Sequence, residues 1–287
     1  VIMPVDFAGY PCDYNEINAL VNEPSVKSLF VAANDMQRQL GRIMILSDAA
    51  HSIGAVYGGK KAGSLTDVSV FSFHAVKNLT TAEGGAVALN LPAPFDNDEI
   101  YKALCVKSLH GQNKVALAKT QKGNWRYDIV EAGYKSNMTD IMAAIGLVEL
   151  ARYEKDTLPK RKEIFDFYTK ELSKYKWAEI PEYFNDLKVS SYHVYPLRIK
   201  NVTEQQRDTI MQAIFDKDIS VNVHFIPVPM MSFYKAMGYD IHNYPVAFDN
   251  YCREISLPVF YDLTNEQLKM VVDAVVNAVN AVVLEKV

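Results

Sequence analysis

The chain has 287 residues, 49% hydrophobic and 22% charged, with a formal net charge of −4. This composition is that of a globular protein with a core large enough for an enzyme, and no apolar run approaches the ~20 residues of a membrane span. The acidic balance argues against nucleic acid and membranes as partners, so we expect small-molecule ligands. The cysteines lack CxxC spacing, which favours a reducing cytoplasm over a disulfide framework or a zinc site; they are Cys12, Cys105 and Cys252.

Apolar runs alternate with segments of helical period in the first half of the chain, which predicts an α/β domain with a mainly parallel sheet. Strands are predicted at 1–5, 42–46, 68–73 and 85–89, and helices at 14–22 and within 26–40. The first five residues read as a buried strand and are not preceded by an initiator Met. We therefore expect that Val1 is not the native start.

The stretch "SNMTDIMAAIGLVELARY" predicts an amphipathic helix with Ser136 or Asn137 as its N-cap. One apolar face of this helix is formed by Met138, Ile141, Met142, Ile145 and Val148. A charged helix is predicted to follow at about 160–175.

The order of elements changes in the last hundred residues. Strands are predicted at 192–199 and 221–225, and helices at 203–215 and 265–282, which is typical of a smaller α+β unit. We expect a large domain over residues 1–155 and a small C-terminal domain over residues 156–287.

Two predicted strands end on residues that can carry chemistry. "RIMILSD" ends on Asp48, and ligands of open α/β sheets bind at the carboxyl ends of strands. The alternative for Asp48 is a helix N-cap. His51, three residues later, is either a core histidine or a contact to a ligand ring above Asp48.

"VSVFSFHAVKN" ends the next strand with Ser72 and Lys77. A lysine beside a sheet end suits Schiff-base chemistry, although an arbitrary loop lysine is more often simply exposed. Pyridoxal phosphate (PLP) needs a lysine and an acid on its ring nitrogen, and Asp48 with Lys77 supplies both. Ser72 could then hydrogen-bond the phosphate. The histidines share no metal-ligand spacing, so we expect no metal.

These residues carry a resemblance to a known family. "SDAAHSIGAVYGGKKAGSLTDVSVFSFHAVKNLTTAEGGAV" resembles the core signature of the DegT/StrS-type PLP-dependent nucleotide-sugar aminotransferases. "PVDFAGYPCDYNEI", "GYKSNMTDIMAAIGLVEL", "VNVHFIPVPMMSFYKAMGY" and "EISLPVF" are similar to further blocks of this family in the same order. The likeness spans nearly the whole chain.

The resemblance implies a PLP-dependent transferase of fold type I that acts as a homodimer with shared active sites. It implies that Lys77 bonds to the cofactor and moves protons, Asp48 pairs with the ring nitrogen, His51 contacts the ring and Ser72 binds the phosphate. It also implies that Asn137 reaches the phosphate of the partner subunit. Many members carry Asn where this chain has Lys135, which makes the two neighbours alternatives for that contact.

The implied reaction is transfer of an amino group, usually from glutamate, to a keto group of a nucleotide-linked sugar. The motifs "FSFHAVKN" and "AEGG" are most similar to those of members that act at C4 of the sugar. The product would serve surface polysaccharide or related glycan synthesis. Residues that could line the sugar pocket are Trp125, Tyr192, His193 and His224.

Two other functions compete with this one. Family members that dehydrate sugars carry His in place of the lysine, so Lys77 argues against a dehydratase. A catalytically silent binding or regulatory protein is the second alternative, because family members carry, before the block that begins at Val1, a phosphate-binding Gly-Thr/Ser turn and an aromatic residue that stacks on the ring. We therefore expect this chain to lack the N-terminal part of the large domain.

Overall fold

A computed structural model of the chain describes residues 1–113 and 126–284. The chain divides into two compact units, of which the first comprises Val1–Tyr153 with Leu187–Val189 and the second comprises Glu154–Asp186 with Ser190–Val287. Within the described residues, no helix has the length and apolar character needed to cross a bilayer.

The first unit combines five described α-helices with six strands. The helices are α1 (Tyr14–Asn22), α2 (Pro24–Ser28), α3 (Asp35–Leu40), α4 (Asn97–Ser108) and α5 (Asp140–Arg152), and the strands are β1 (Leu46–Asp48), β2 (Val56–Tyr57), β3 (Lys60–Lys61), β4 (Val68–Ser72), β5 (Gly85–Leu89) and β7 (Lys188–Val189).

The main sheet of this unit has the order β1-β4-β5. β1 and β4 are parallel, with Asp48 opposite Val70, whereas β5 returns antiparallel to β4. On the other side of β1, Ile2 and Val5 form isolated parallel bridges to Ile45 and Asp48. The predicted parallel pairing is therefore present, and the carboxyl ends of β1 and β4 lie at the same edge.

The segment 1–5 is not the buried strand that the sequence predicts. It makes two bridges rather than a continuous ladder, because Pro4 has no amide hydrogen to donate. The side chains of Val1, Met3 and Val5 are exposed, so only alternate residues face the unit. A run of apolar residues alone does not distinguish a strand buried on one face from a strand buried on both faces.

Helix α5 exists where the sequence places it, but its cap and its surroundings differ. Thr139, not Ser136 or Asn137, is the N-cap, and its side chain accepts a hydrogen bond from the amide of Met142. The apolar face lies largely on the surface, since the exposed fraction is 78% for Ile141 and 65% for Val148.

The second unit is built on an antiparallel sheet of order β6-β8-β9. Its strands are β6 (Ala178–Glu179), β8 (Tyr195–Ile199) and β9 (Glu254–Leu257), and its helices are α6 (Leu158–Leu172), α7 (Glu204–Phe215), α8 (Ser232–Ala236), α9 (Pro245–Arg253) and α10 (Asn265–Leu284). A capping box between Thr203 and Gln206 fixes the start of α7. The predicted strand at 221–225 is wrong, because this segment makes only one described bridge, from Asn222 to Ser256.

An aromatic cluster organises the core of the second unit. The ring of Phe165 on α6 meets three tyrosine rings edge to face at 5.1 to 5.4 Å, and these belong to Tyr183, Tyr192 and Tyr195. The faces of α6, α7 and α10 that carry buried aliphatic residues close on the same core.

Candidate cofactor site

Asp48 stands at the carboxyl end of β1, where the backbone holds it from both sides. Its amide donates to the carbonyl of Pro4 at 2.9 Å, and its carbonyl accepts from the amide of Asp6 at 3.1 Å. The carboxylate oxygen Oδ1 accepts from the amide of Ala50 at 3.1 Å. In the described structure no helix begins directly after Asp48, so the helix-cap alternative is wrong. Within the described chain, Oδ2 has no hydrogen bond and is left for a ligand.

Lys77 lies in the loop that joins β4 to β5. The base of this loop is closed by two backbone bonds of Phe73, whose amide donates to Gly84 at 2.8 Å and whose carbonyl accepts from Thr81 at 2.9 Å. A further turn, closed by a hydrogen bond from the amide of Lys77 to the carbonyl of His74, fixes the backbone of Lys77. Its position is thus fixed by a closed hairpin rather than by a long free loop.

The two glycines at the end of this hairpin are required by close approaches. A Cβ at Gly84 would lie 2.4 Å from the hydroxyl oxygen of Thr81, and one at Gly85 would lie 2.7 Å from the carbonyl oxygen of Phe71. "AEGG" therefore allows the tight return of β5 next to Lys77.

The amine of Lys77 is half-buried, and within the described residues it has no direct ionic partner. Burial lowers the pKa of Lys77, and the nearby Asp48 carboxylate opposes that effect. In the described structure the two groups form no ion pair, and Nζ of Lys77 makes no hydrogen bond. Such an amine is more often neutral at neutral pH than an exposed lysine, as a nucleophile must be.

His51 and Ser72 complete the same edge of the sheet. His51 follows β1 and is only 7% exposed. Ser72 is the last residue of β4, and its Oγ accepts a hydrogen bond from the amide of His74 at 3.4 Å. His74 itself turns outward, with Nε2 at 3.6 Å from the carboxylate of Glu83.

Asn137 is exposed just before α5, and its side chain is hydrogen-bonded to Lys135. The ammonium of Lys135 donates to Oδ1 of Asn137, while Nδ2 of Asn137 donates to the carbonyl of Met138 at 3.2 Å. The charged group that this pair offers to an anion is therefore the ammonium of Lys135.

The sequence reasoning missed Asp6, the most completely satisfied acid near this edge. Its Oδ1 accepts from the hydroxyl of Tyr14 at 2.6 Å and from the amide of Cys12 at 3.0 Å, and its Oδ2 accepts from Ser52 at 2.7 Å. Burial raises the pKa of Asp6, and these donors act against that rise. An acid directly after the apolar segment 1–5 was the available signal, the same signal that identified Asp48.

The residues predicted to line a sugar pocket lie in different surroundings. Tyr192 is part of the aromatic core, since its ring packs against Phe165 and Tyr183. The carbonyl of His193 accepts from the buried Arg161 at 2.6 Å. His224 belongs to the second unit, and Trp125 lies outside the described residues.

Comparison with known proteins assigns the family. The model of the DegT/DnrJ/EryC1/StrS aminotransferase family matches residues 1–276. The chain belongs to this family. It is a family of PLP-dependent sugar aminotransferases with fold type I, so the family, fold class, enzyme class and cofactor that the sequence predicts are confirmed.

Solved structures and curated relatives agree with this family. The putative sugar aminotransferase Spr1654 from Streptococcus pneumoniae, solved in its PMP form, has 39% identity and a TM-score of 0.91 over 98% of this chain and 69% of its own. A transaminase from Campylobacter jejuni, named for UDP-4-amino-4,6-dideoxy-N-acetyl-β-L-altrosamine, is 31% identical over 100% of this chain and 66% of its own length. The spore coat polysaccharide biosynthesis protein SpsC of Bacillus subtilis is 32% identical over 96% of this chain and 65% of its own. The chain thus spans about two thirds of the length of these relatives.

The side chains at the sheet edge fit the family's cofactor. PLP needs an amine, an acid for its ring nitrogen and donors for its phosphate. In the described structure the amine of Lys77 and Oδ2 of Asp48 have no hydrogen bond, and together with the hydroxyl of Ser72 they are groups of the kinds that PLP needs, all carried by β1, β4 and the loop after β4.

Proposed function

We propose that the protein transfers an amino group to a keto group of a nucleotide-linked sugar and that PLP for this reaction is held at the edge formed by β1 and β4. The amine of Lys77 is the observation that carries the proposal. It is partly desolvated, it has no hydrogen bond in the described structure, and it shares its edge with the carboxylate of Asp48.

The division of work follows from the chemistry of each group. When bound, PLP supplies an aldehyde that bonds to amines and a ring that withdraws electrons. The Oδ2 atom of Asp48 would accept a hydrogen bond from the protonated ring nitrogen and so keep that nitrogen charged. The amine of Lys77 would take the proton from the amino-bearing carbon of the donor and pass it to the carbonyl carbon of the bound cofactor, and would move a proton in the opposite sense for the sugar, a task that its lowered pKa favours.

The remaining site residues bind and orient. Ser72 donates its hydroxyl hydrogen to the phosphate, and the buried imidazole of His51 packs on the ring face. Asn137 holds the ammonium of Lys135, and the pair contacts the phosphate bound in a partner subunit. In this proposal the first unit is the PLP-binding large domain and the second is the small domain.

The names of two relatives support a substrate class and a position of amination. The Campylobacter jejuni relative is named for a sugar with an amino group at C4, and SpsC is named for polysaccharide synthesis. We propose amination at C4 with glutamate as the donor, for a surface polysaccharide or a related glycan, in the cytoplasm.

A homodimer is part of the proposal. It is supported by the exposed apolar face of α5, on which Ile141, Ile145 and Val148 follow one another at helical spacing. A Cβ at Gly146 of the same helix would lie 2.8 Å from the methyl carbon of Thr81 in the Lys77 hairpin. A second subunit that covered α5 would therefore approach the site.

The experiment tests the covalent contact first. The protein is incubated with PLP, reduced with borohydride and digested, and the modified peptide is identified by mass spectrometry. We expect the cofactor on Lys77, loss of visible absorption in Lys77→Ala, and no change in Lys60→Ala, which removes an exposed lysine of β3. Transfer of label from 15N-glutamate to C4 of a UDP-4-keto sugar then tests the reaction.

The outcomes separate the alternatives. A protein that binds no PLP, or binds it equally well in Lys77→Ala, is a catalytically silent family member. A protein that binds PLP on Lys77 but releases a dehydrated sugar without 15N is a dehydratase. Either result refutes the proposed function.

A further inference from the structure

A buried acid in the second unit makes a hydrogen-bonded chain to a histidine. Glu254 and Ser256 are two residues apart on β9, so their side chains leave the strand on the same face. Both are 4% exposed. The bridge between Asn222 and Ser256 brings the segment that carries His224 alongside them.

Three contacts define the chain of groups. Oε2 of Glu254 accepts from the backbone amide of His224 at 2.9 Å, and Oε1 of Glu254 lies in hydrogen-bond contact with Oγ of Ser256. Oγ of Ser256 lies 2.8 Å from Nδ1 of His224. Ser256 has one hydroxyl hydrogen, so it can donate to only one of its two neighbours at a time.

The charges around Glu254 come from two further elements. The guanidinium of Arg207 on α7 donates to the carbonyl of Glu254 at 3.2 Å, and Arg198 on β8 acts from a longer distance. In the described residues neither arginine forms an ion pair with the carboxylate. Burial raises the pKa of Glu254 to about 7, although both arginines, Ser256 and the amide of His224 favour the charged form.

The position of one proton decides the direction of the whole chain. An ionised Glu254 can only accept, so Ser256 donates to it and accepts from Nδ1 of His224, which must carry a hydrogen. A Glu254 protonated on Oε1 donates to Ser256 instead, and Ser256 then donates to Nδ1. In that case a neutral His224 has its hydrogen on Nε2.

We propose that Glu254 and Ser256 are positioning residues for His224, and that they set whether Nε2 of its imidazole donates or accepts a hydrogen bond. On ionisation, the proton of Glu254 passes to Ser256, the hydroxyl proton passes to Nδ1, and the proton of Nε2 is released. One proton is lost and the charge of the group changes from 0 to −1. A ligand that meets Nε2 must then offer a donor, such as a sugar hydroxyl. This proposal stands independently of the proposed function.

The test reads the tautomer of His224 directly. Protein with 15N-labelled histidine rings is examined by NMR at pH 8.5, and the His224 signals are assigned from their loss in His224→Asn. We expect the hydrogen on Nδ1 in the native protein. In Glu254→Gln the amide oxygen must accept from the His224 amide, so the NH2 group faces Ser256, and we expect the hydrogen on Nε2.

Glu163→Gln is the matched control, since Glu163 is an exposed partner of Lys160. It should leave the His224 signals unchanged. A native protein with its hydrogen on Nε2 at pH 8.5 overturns the proposal without recourse to any variant. A folded Glu254→Gln protein that keeps the hydrogen on Nδ1 overturns it as well. A side chain with a purely structural role would move neither signal.

Discussion

The buried carboxyl of Glu254 should make the stability of the second unit depend on pH. Its pKa is raised from an ordinary value of 4.5 to about 7 because burial penalises the charged form. The folded state therefore binds this proton more tightly than the unfolded state. The contribution of Glu254 to the free energy of unfolding is greatest below pH 4.5, and it is lost as the pH rises through 7.

The magnitude follows from linkage. The difference between a pKa of 4.5 and one of about 7 corresponds to roughly 3 kcal/mol in the free energy of unfolding. Most of this loss, roughly 2 to 3 kcal/mol, falls between pH 5 and pH 8, since the unfolded carboxyl is already partly ionised at pH 5. Glu254→Gln removes the titrating group but keeps the shape and one acceptor.

Urea unfolding at pH 5 and pH 8 measures the effect. Any constant cost of the altered hydrogen bonds cancels when the two pH values are compared, so Glu254→Gln should gain roughly 2 to 3 kcal/mol in the free energy of unfolding relative to the native protein between pH 5 and pH 8. Glu163→Gln should follow the native protein. A difference between Glu254→Gln and the native protein that stays constant to within about 0.5 kcal/mol over this range contradicts the reasoning.

Two further predictions concern the first unit. Asp67→Ala should lower the free energy of unfolding by about 3–5 kcal/mol, because it leaves buried Arg42 without the carboxylate that it binds at 2.7 and 2.8 Å; a loss below about 1 kcal/mol in urea unfolding speaks against a buried ion pair. Val148→Lys should shift the protein from dimer to monomer in analytical ultracentrifugation, whereas Lys60→Ala should not. An unchanged dimer in Val148→Lys argues against α5 as the interface.

Much of the first unit's sheet could be predicted from its sequence. The runs at 68–73 and 85–89 are apolar, β-rich and bounded by turn residues, and β4 and β5 lie within a residue of those bounds. The prediction for β1 was displaced by two to four residues, because the apolar run begins before the residues that pair with Val68. Strand existence follows from local pattern, while strand ends follow from the partner.

Other features depend on contacts that a single sequence does not contain. The cap of α5 is Thr139, whose extended backbone lets its side chain reach the amide of Met142. β9 was missed because four residues are too few for a period to be visible, and the acid at its start argues against a buried strand. Its burial is possible because Ser256 and the amide of His224 donate to that acid.

The candidate site was predictable to the extent that it follows strand ends. Asp48 and Ser72 each close a strand, so sheet geometry alone brings them to one edge. Nothing local predicts that Asn137 is held by Lys135, since that bond depends on two exposed side chains. The roles of Lys77, Asp48, His51, Ser72 and Asn137 stay predictions until the cofactor experiments are done.

Three acids of this chain differ in the number of hydrogen bonds that their carboxylates accept, and therefore in their capacity to bind a further group. Asp6 receives three hydrogen bonds on its two oxygens, so it has little to offer a ligand and serves to hold Tyr14 and Ser52 behind β1. Asp48 receives one, on Oδ1, and in the described structure keeps Oδ2 for a partner. Glu254 receives two, and one of them comes from a hydroxyl that can reverse its direction. A buried acid with all its acceptors used supports the fold, one with an oxygen to spare binds, and one linked through a rotatable hydroxyl can transmit its charge to a histidine.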